Sequence, residues 1–234
     1  MLDAIHPLRE ALVTPMSLRH KDGGVSLMVA TCISAIIKIS TLDVPYEDDV
    51  MRDAFQLIIY TFLGLGNIHS LLFGKRVTLL EKMEKFESCV VMWDIGCHDL
   101  ILEMFHIFFF VVLEAHPINV INSMQSIMTL MMDESDDIPE SLMAVIRASL
   151  GGGEKGVSSA GHRLSMYVME HCANRLEPYS TIPPDDISTC DGQEDSSSDH
   201  EEEITSSSCD EIQDDLGVDL CDEDGMITTL DTPS

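Results

Sequence analysis

Up to about residue 176, apolar side chains recur at steps of three and four positions, which is the spacing of one face of an α-helix. In the first clear case the apolar stripe is Val25, Val29, Cys32, Ile36 and Ile39, while the polar residues Ser26, Ser34 and Lys38 fall outside it. No segment alternates apolar and polar residues for long enough to predict a strand. The pattern therefore predicts an all-α fold.

The same spacing predicts six further helices. Four of them have clear apolar stripes: Met51, Phe55, Ile58 and Phe62; Leu79, Met83, Phe86, Val90 and Trp93; Val120, Met124, Ile127 and Met131; Leu164, Val168, Cys172 and Leu176. Residues 99–114 are apolar on nearly every side, which predicts a helix buried between neighbours. A further helix is expected between Pro139 and Gly151. Most of the 14 methionines before Arg175 lie in register with Ile and Leu, so we expect core packing rather than an adaptable groove.

The helices are regularly spaced when they are taken in pairs. The first members begin near Val25, Ser70, Pro117 and Ser158, and a helix-pair period of about 40–47 residues is typical of HEAT-type arrays. We therefore predict a short HEAT-type helical-repeat solenoid of about three to four helix pairs. An irregular helical bundle is the alternative.

Charge divides the chain into two parts. The sequence has 41 acidic and 13 basic residues, a formal net charge of −28, and no Lys or Arg follows Arg175. Such a balance argues against direct nucleic-acid binding, which needs a basic surface. The C-terminal stretch also has too few apolar residues to offset chain entropy. We therefore predict helical repeats over residues 1–178 and a disordered acidic tail rich in Ser, Asp and Glu over residues 179–234.

Two roles are open for this tail. Ser196, Ser198, Ser207 and Ser208 each have an acidic residue three positions later, a pattern that acid-directed kinases favour, and each phosphate would add about −1.5 to −2 charges. The alternative is a passive solubilising tail. An acidic tail also fits basic partners such as histone segments.

One cluster on the predicted fourth helix has the residue types of a metal or catalytic site. Asp99, Glu103 and His106 share one helical face, and Glu103-x-x-His106 matches one arm of a carboxylate-bridged metal site. Such a site needs a second copy of the motif, and the sequence contains none. The simpler interpretation is a thin solvated stripe on a buried helix.

Other motifs also argue against an enzyme or a cofactor protein. Cys89, Cys97 and His98 form one loose cluster, whereas structural zinc needs four ligands. Gly151–Gly153 lacks the Lys-Ser/Thr of a phosphate loop. We therefore predict no catalytic, metal-binding or cofactor-binding residues.

Cysteine count and hydropathy bear on the compartment. The seven cysteines are an odd number with scattered spacing, which favours a reducing compartment. No signal peptide is apparent at the N-terminus. The longest apolar run, residues 107–113, is far shorter than the roughly 20 residues of a membrane span, so no membrane association is expected.

Three stretches resemble the plant-type precocious-dissociation-of-sisters family, HEAT-repeat cohesin regulators of sister chromatid cohesion. The resemblance runs in order from about Leu8 to Ala173. The stretches are Val29-Ala-Thr-Cys-Ile-Ser34 with Val44-Pro-Tyr-Glu-Asp-Asp49; Ser88-Cys-Val-Val-Met92 with Leu102-Glu-Met-Phe105; and His116-Pro117, Asn119-Val120, Ile127-Met-Thr-Leu130 with Glu134-Ser-Asp-Asp-Ile-Pro139.

The resemblance implies a non-enzymatic nuclear scaffold. Members of the family bind cohesin through its kleisin and ATPase-head subunits, act with other cohesion regulators, and have links to DNA repair. It does not say which helix face binds a partner, so no partner-binding residue is predicted. The alternative function is a module that binds histones or other basic proteins through the acidic tail.

The chain also departs from the family pattern. Family members are several times longer, and only their N-terminal repeats are matched. Gly24, Ser26 and Ala35 stand where charged residues are expected, and residues 68–73 are apolar where the family is polar and basic. These departures favour a shortened or degenerating copy that keeps the fold of the first repeats.

Overall fold

The computed structural model describes residues 5–40, 45–150 and 158–173. All regular secondary structure in these ranges is helical, which confirms the predicted all-α class. The α-helices are α1 His6–Leu12, α2 Pro15–Leu18, α3 Gly23–Ile39, α4 Asp48–Thr61, α5 Phe73–Lys85, α6 Val91–Asp94, α7 His98–Val111, α8 Ile118–Glu134, α9 Glu140–Leu150 and α10 Ser159–His171. The predicted tail and its boundary lie outside the described residues and stay predictions.

The long helices form two layers. Helices α3, α5, α8 and α10 each contact the next one along and form layer A, while α4, α7 and α9 do the same and form layer B. Helices α3, α5 and α8 are each followed by a B helix, with the short α6 between α5 and α7. This is the stacked helix-pair arrangement of HEAT-type repeats. The A helices begin at Gly23, Phe73, Ile118 and Ser159, close to the predicted starts. The repeat prediction is therefore confirmed.

Local sequence explains where several helices begin. Asp22 caps α3, because its Oδ1 accepts a hydrogen bond of 2.8 Å from the N–H of Val25. Ser158 caps α10 in the same way, with its Oγ 3.0 Å from the N–H of Gly161. The carboxylates of Asp48 and Asp49 lie in the first turn of α4, where the helix dipole favours negative charge.

The core lies between the two layers and runs the length of the described array. The predicted stripes of α4 and α8 are completely buried, and Phe62 packs against Phe108 of α7 with ring centroids 5.8 Å apart. Helix α7 is buried on most sides, as its composition predicts. Most methionines fill this core rather than line a groove; those buried are Met51, Met83, Met92, Met104, Met124, Met128, Met131, Met132 and Met143.

The predicted apolar stripe of α3 is wrong at its two ends. Val25 is 40% exposed and Ile39 is 53% exposed, whereas Leu27, Ala30 and Ile33 are buried. Helix α3 is apolar on most of its circumference, so more than one face fits the helical spacing. The positions of α4 and α5 decide which face is covered.

The predicted single helix from Leu79 to Trp93 is also wrong, because the chain breaks after α5. Phe86 ends that helix, and Glu87 adopts the left-handed conformation with φ 51°. A 3-10 turn and the short α6 follow. This bend brings Trp93 to α8, where its indole N–H donates to the carbonyl oxygen of Met131 over 3.0 Å.

Two short elements precede the first predicted helix. Helices α1 and α2 both pack against α3. Thr14 lies between them and caps α2 through its side chain. None of the helices in the described ranges is long and apolar enough to cross a membrane.

Candidate interaction surfaces

The predicted metal-like cluster lies on the outer side of layer B. Asp99 and His106 are exposed and Glu103 is half-buried. The guanidinium of Arg52 on α4 bonds both carboxylate oxygens of Asp99, with Nη1 to Oδ1 at 2.9 Å. Glu103 accepts a hydrogen bond from the hydroxyl of Tyr60, also on α4. Two of the three side chains therefore join α7 to α4.

These contacts change the acidity of the groups involved. The hydrogen bonds from Arg52 hold the pKa of Asp99 below its ordinary value of 3.8. Burial, and then the hydrogen bond to Glu103, raise the pKa of the Tyr60 hydroxyl. Asp99 thus stays an anion paired with an arginine, so its role is to link two neighbouring B helices.

Cys89, Cys97 and His98, the residues weighed against a zinc site in the sequence, do not form a group of metal ligands. Cys89 and Cys97 are buried, whereas His98 is exposed and lies against the ring of Trp93, with centroids 5.1 Å apart. Burial raises the pKa of the Cys89 thiol to about 12. Across the described part of the chain, no three His, Cys, Asp or Glu side chains are grouped so that they would hold a metal ion.

Layer A has its own links between successive helices. On α5, Glu81 accepts a hydrogen bond of 2.7 Å from the amide of Asn119, and Glu84 accepts one of 2.6 Å from the hydroxyl of Ser123. Both partners belong to α8. The acidic side chains of α5 at these positions therefore face α8.

A surface groove lies between the start of α3 and the start of α5, with Leu12 of α1 also in its wall. The groove has a volume of about 480 Å³, and its nine lining residues are mostly apolar: Leu12, Asp22, Gly24, Val25, Met28, Val29, Cys32, Leu72 and Lys75. Leu71, next to the groove in sequence, is 98% exposed. Sequence reasoning missed this groove, although the apolar circumference of α3 and the apolar residues 68–73 were both visible in the sequence.

The four candidate phosphorylation sites, Ser196, Ser198, Ser207 and Ser208, lie outside the described residues. Their modification stays a prediction.

Comparison with known proteins agrees with the helical-repeat fold. A family model described as "Sister chromatid cohesion protein PDS5 protein" matches residues 1–181. Among solved structures, a chain of "Structure of the Pds5-Scc1 complex and implications for cohesin function" is similar with a TM-score of 0.67 and 25% identity. That match covers 81% of this chain and 30% of the other.

Curated relatives match the same region. Sister chromatid cohesion protein PDS5 homolog A of Arabidopsis thaliana is 42% identical over 177 residues, covering 76% of this chain and 11% of the relative. Homolog C of the same plant is 39% identical over 181 residues, covering 77% of this chain and 21% of the relative. PDS5 of Saccharomyces cerevisiae is 26% identical over 189 residues, covering 77% and 15%. The chain thus spans only a small part of the length of these relatives.

Proposed function

Because the chain belongs to the PDS5 family of sister chromatid cohesion proteins, we propose that it is a non-enzymatic scaffold that binds cohesin and regulates sister chromatid cohesion in the nucleus. The observation that carries the proposal is the likeness to the solved chain of the Pds5-Scc1 complex, which extends over 81% of this chain. Its main partner would then be the kleisin subunit of cohesin, with the ATPase heads and other cohesion regulators as further partners.

The geometry of the described repeats supports a binding role. Successive helix pairs are held by specific side-chain contacts, such as Arg52 with Asp99 in layer B and Glu81 with Asn119 in layer A. A stacked array of this kind presents extended outer faces, and helical-repeat proteins use such faces to bind long segments of their partners. Two of the three side chains that have the residue types of a metal or catalytic site, Asp99 and Glu103, contact α4.

Co-precipitation tests the proposal. The tagged full chain, expressed in plant cells, should bring down the kleisin and ATPase-head subunits from nuclear extract. Homolog A of Arabidopsis thaliana serves as the positive control. A variant with a charge in the core, Phe105→Asp, should lose the interaction because Phe105 is fully buried. Absence of cohesin from the precipitate of the unaltered chain, while homolog A retains it, would overturn the proposal.

The alternative function, histone binding through the acidic tail, gains no support from the comparisons. The tail lies beyond residue 173, outside the described ranges. Histone binding therefore stays a prediction from composition.

A further inference from the structure

Lysine side chains lie on both helices that border the groove between α3 and α5. Lys38 is the one charged residue of α3. On α5, Lys75 lines the groove, and Lys82 lies two helical turns later on the same face. Since Glu81 and Glu84 face α8, the side of α5 toward α3 carries lysines, and its acidic side chains are directed elsewhere.

The two helices meet at their starts and again at their ends, so they form a seam in which both run in the same direction. At the start of the seam, a Cβ placed on Gly24 would lie 3.8 Å from Leu72. At its end, the ammonium of Lys38 lies 3.7 Å from the ring centroid of Phe86, with Lys85 at 5.9 Å from the same ring. The apolar groove with Lys75 thus lies at the start of this seam, and Lys38 and Lys85 lie at its end.

One acidic side chain also lines the groove, but it already has a hydrogen-bond donor. Asp22 accepts from the N–H of Val25 and caps α3. Val25 and Met28 are 40% and 50% exposed at the same place. The free interactions that the groove offers are therefore apolar contact and the positive charge of Lys75.

We propose that the α3–α5 groove binds a short peptide segment of a partner protein, with aliphatic side chains placed in the groove and one or two acidic side chains beside them. The aliphatic groups would cover Val25 and Met28, and the acidic groups would pair with Lys75 and Lys82. A seam between two parallel helices suits a third helix laid into it. Because the whole chain carries a net charge of −28, a strongly acidic partner would be repelled, so the acidic groups are few and local.

This proposal goes beyond cohesin binding, because it concerns a surface and a peptide chemistry that the family membership does not specify. Its test uses the purified full chain and a phage-displayed library of random peptides about 16 residues long, the length of a three- to four-turn helix with flanks. Enriched peptides should combine aliphatic residues at helical spacing with Asp or Glu. No enrichment, or enrichment of basic peptides, would overturn the proposal.

Paired glycine variants locate the binding. Gly24 lines the groove, whereas a Cβ on the adjacent Gly23 meets no atom within 4 Å. Gly24→Leu should therefore weaken a selected peptide at least tenfold in fluorescence anisotropy, and Gly23→Leu should not. Equal binding to both variants would place the peptide elsewhere and overturn the proposal.

A charge variant keeps the test decisive even if Gly24→Leu fails to fold. Lys75→Gln changes an exposed side chain and should weaken binding of the selected peptide several-fold. In that variant, replacing the peptide's acidic residue by the corresponding amide should weaken binding no further. Additive losses would contradict the assigned pairing. Self-association of the unaltered chain that Gly24→Leu abolishes would instead assign the groove to a second copy.

Discussion

The imidazole Nε2 of His116 lies 2.8 Å from the carbonyl oxygen of Leu65, across 51 positions of sequence. Leu65 belongs to the connection between the first and second helix pairs, and His116 to the connection between the second and third. The N–H of Leu113 donates to Nδ1 of the same ring over 3.2 Å. Nδ1 must therefore accept, so the proton lies on Nε2, which donates to Leu65.

Replacing His116 with alanine should destabilise the array. The ring is buried and stacks on Phe73 with centroids 5.9 Å apart. Its removal leaves the Leu65 carbonyl and the Leu113 N–H without their partner, which costs about 1–3 kcal/mol for each such group that stays buried. Urea unfolding followed by circular dichroism measures the loss. His106→Ala, an exposed position, should change stability by less than about 0.5 kcal/mol, and equal effects of the two variants would refute this role of His116.

The ion pair of Arg52 with Asp99 should add only a little to the stability of the packing between α4 and α7. Both side chains are substantially exposed, so we expect a coupling free energy of about 0.2–1 kcal/mol. A double-mutant cycle of Arg52→Gln and Asp99→Asn, measured by urea unfolding, gives this value. Additive effects would show that the pair contributes nothing to stability.

Acidification should remove the same contribution. The pKa of Asp99 is lower in the folded chain than its ordinary value of 3.8, so folding favours the charged form. The stabilisation is fully present above that ordinary value and is lost as pH falls below it through the lowered pKa. In the Asp99→Asn variant, the free energy of unfolding should therefore fall less steeply as the pH is lowered below 3.8. The same steepness in both proteins would contradict the lowered pKa of Asp99.

Trp93→Phe should lower stability by about 1 kcal/mol beyond the loss of packing. The carbonyl of Met131 lies in the last turn of α8, where helix carbonyls have no partner within the helix, and the indole N–H supplies one. Thermal melts by circular dichroism measure the change. Tyr60→Phe, which removes a hydroxyl at the surface, is the matched aromatic control and should have a smaller effect.

Among the described cysteines, Cys32 should react first with N-ethylmaleimide. It is half-buried in the wall of the α3–α5 groove, whereas Cys89, Cys97 and Cys172 are buried. The Cys89 thiol, with its pKa raised to about 12, holds almost no thiolate at neutral pH. Brief labelling followed by peptide mass spectrometry ranks the sites, and equal labelling of Cys32 and Cys89 in the native chain would contradict the structure.

The sequence predicted helices well where one face is apolar and the other polar. The stripes from Met51 to Phe62 and from Val120 to Met131 are buried as expected. The prediction failed after Phe86, because the apolar spacing continues through Trp93 while the backbone turns at Glu87. The contact that accompanies this turn lies 38 positions away on α8, and a local pattern carries no information about it.

The same limit applies to the surfaces. Helical spacing placed Asp99, Glu103 and His106 on one side of α7, but Arg52, the partner of Asp99, is 47 positions away. The groove depends on which face of α3 is covered by its neighbours, and an almost wholly apolar helix leaves that choice to tertiary packing.

The central claim is that this short helical-repeat array of the PDS5 family binds cohesin. The most direct measurement is isothermal titration of the purified full chain with a purified Scc1-type kleisin subunit, alongside Arabidopsis thaliana homolog A. We predict saturable binding by the chain, and its loss in Phe105→Asp. A chain that unfolds cooperatively, and so is folded, but shows no heat of binding to a kleisin that homolog A does bind would contradict the account.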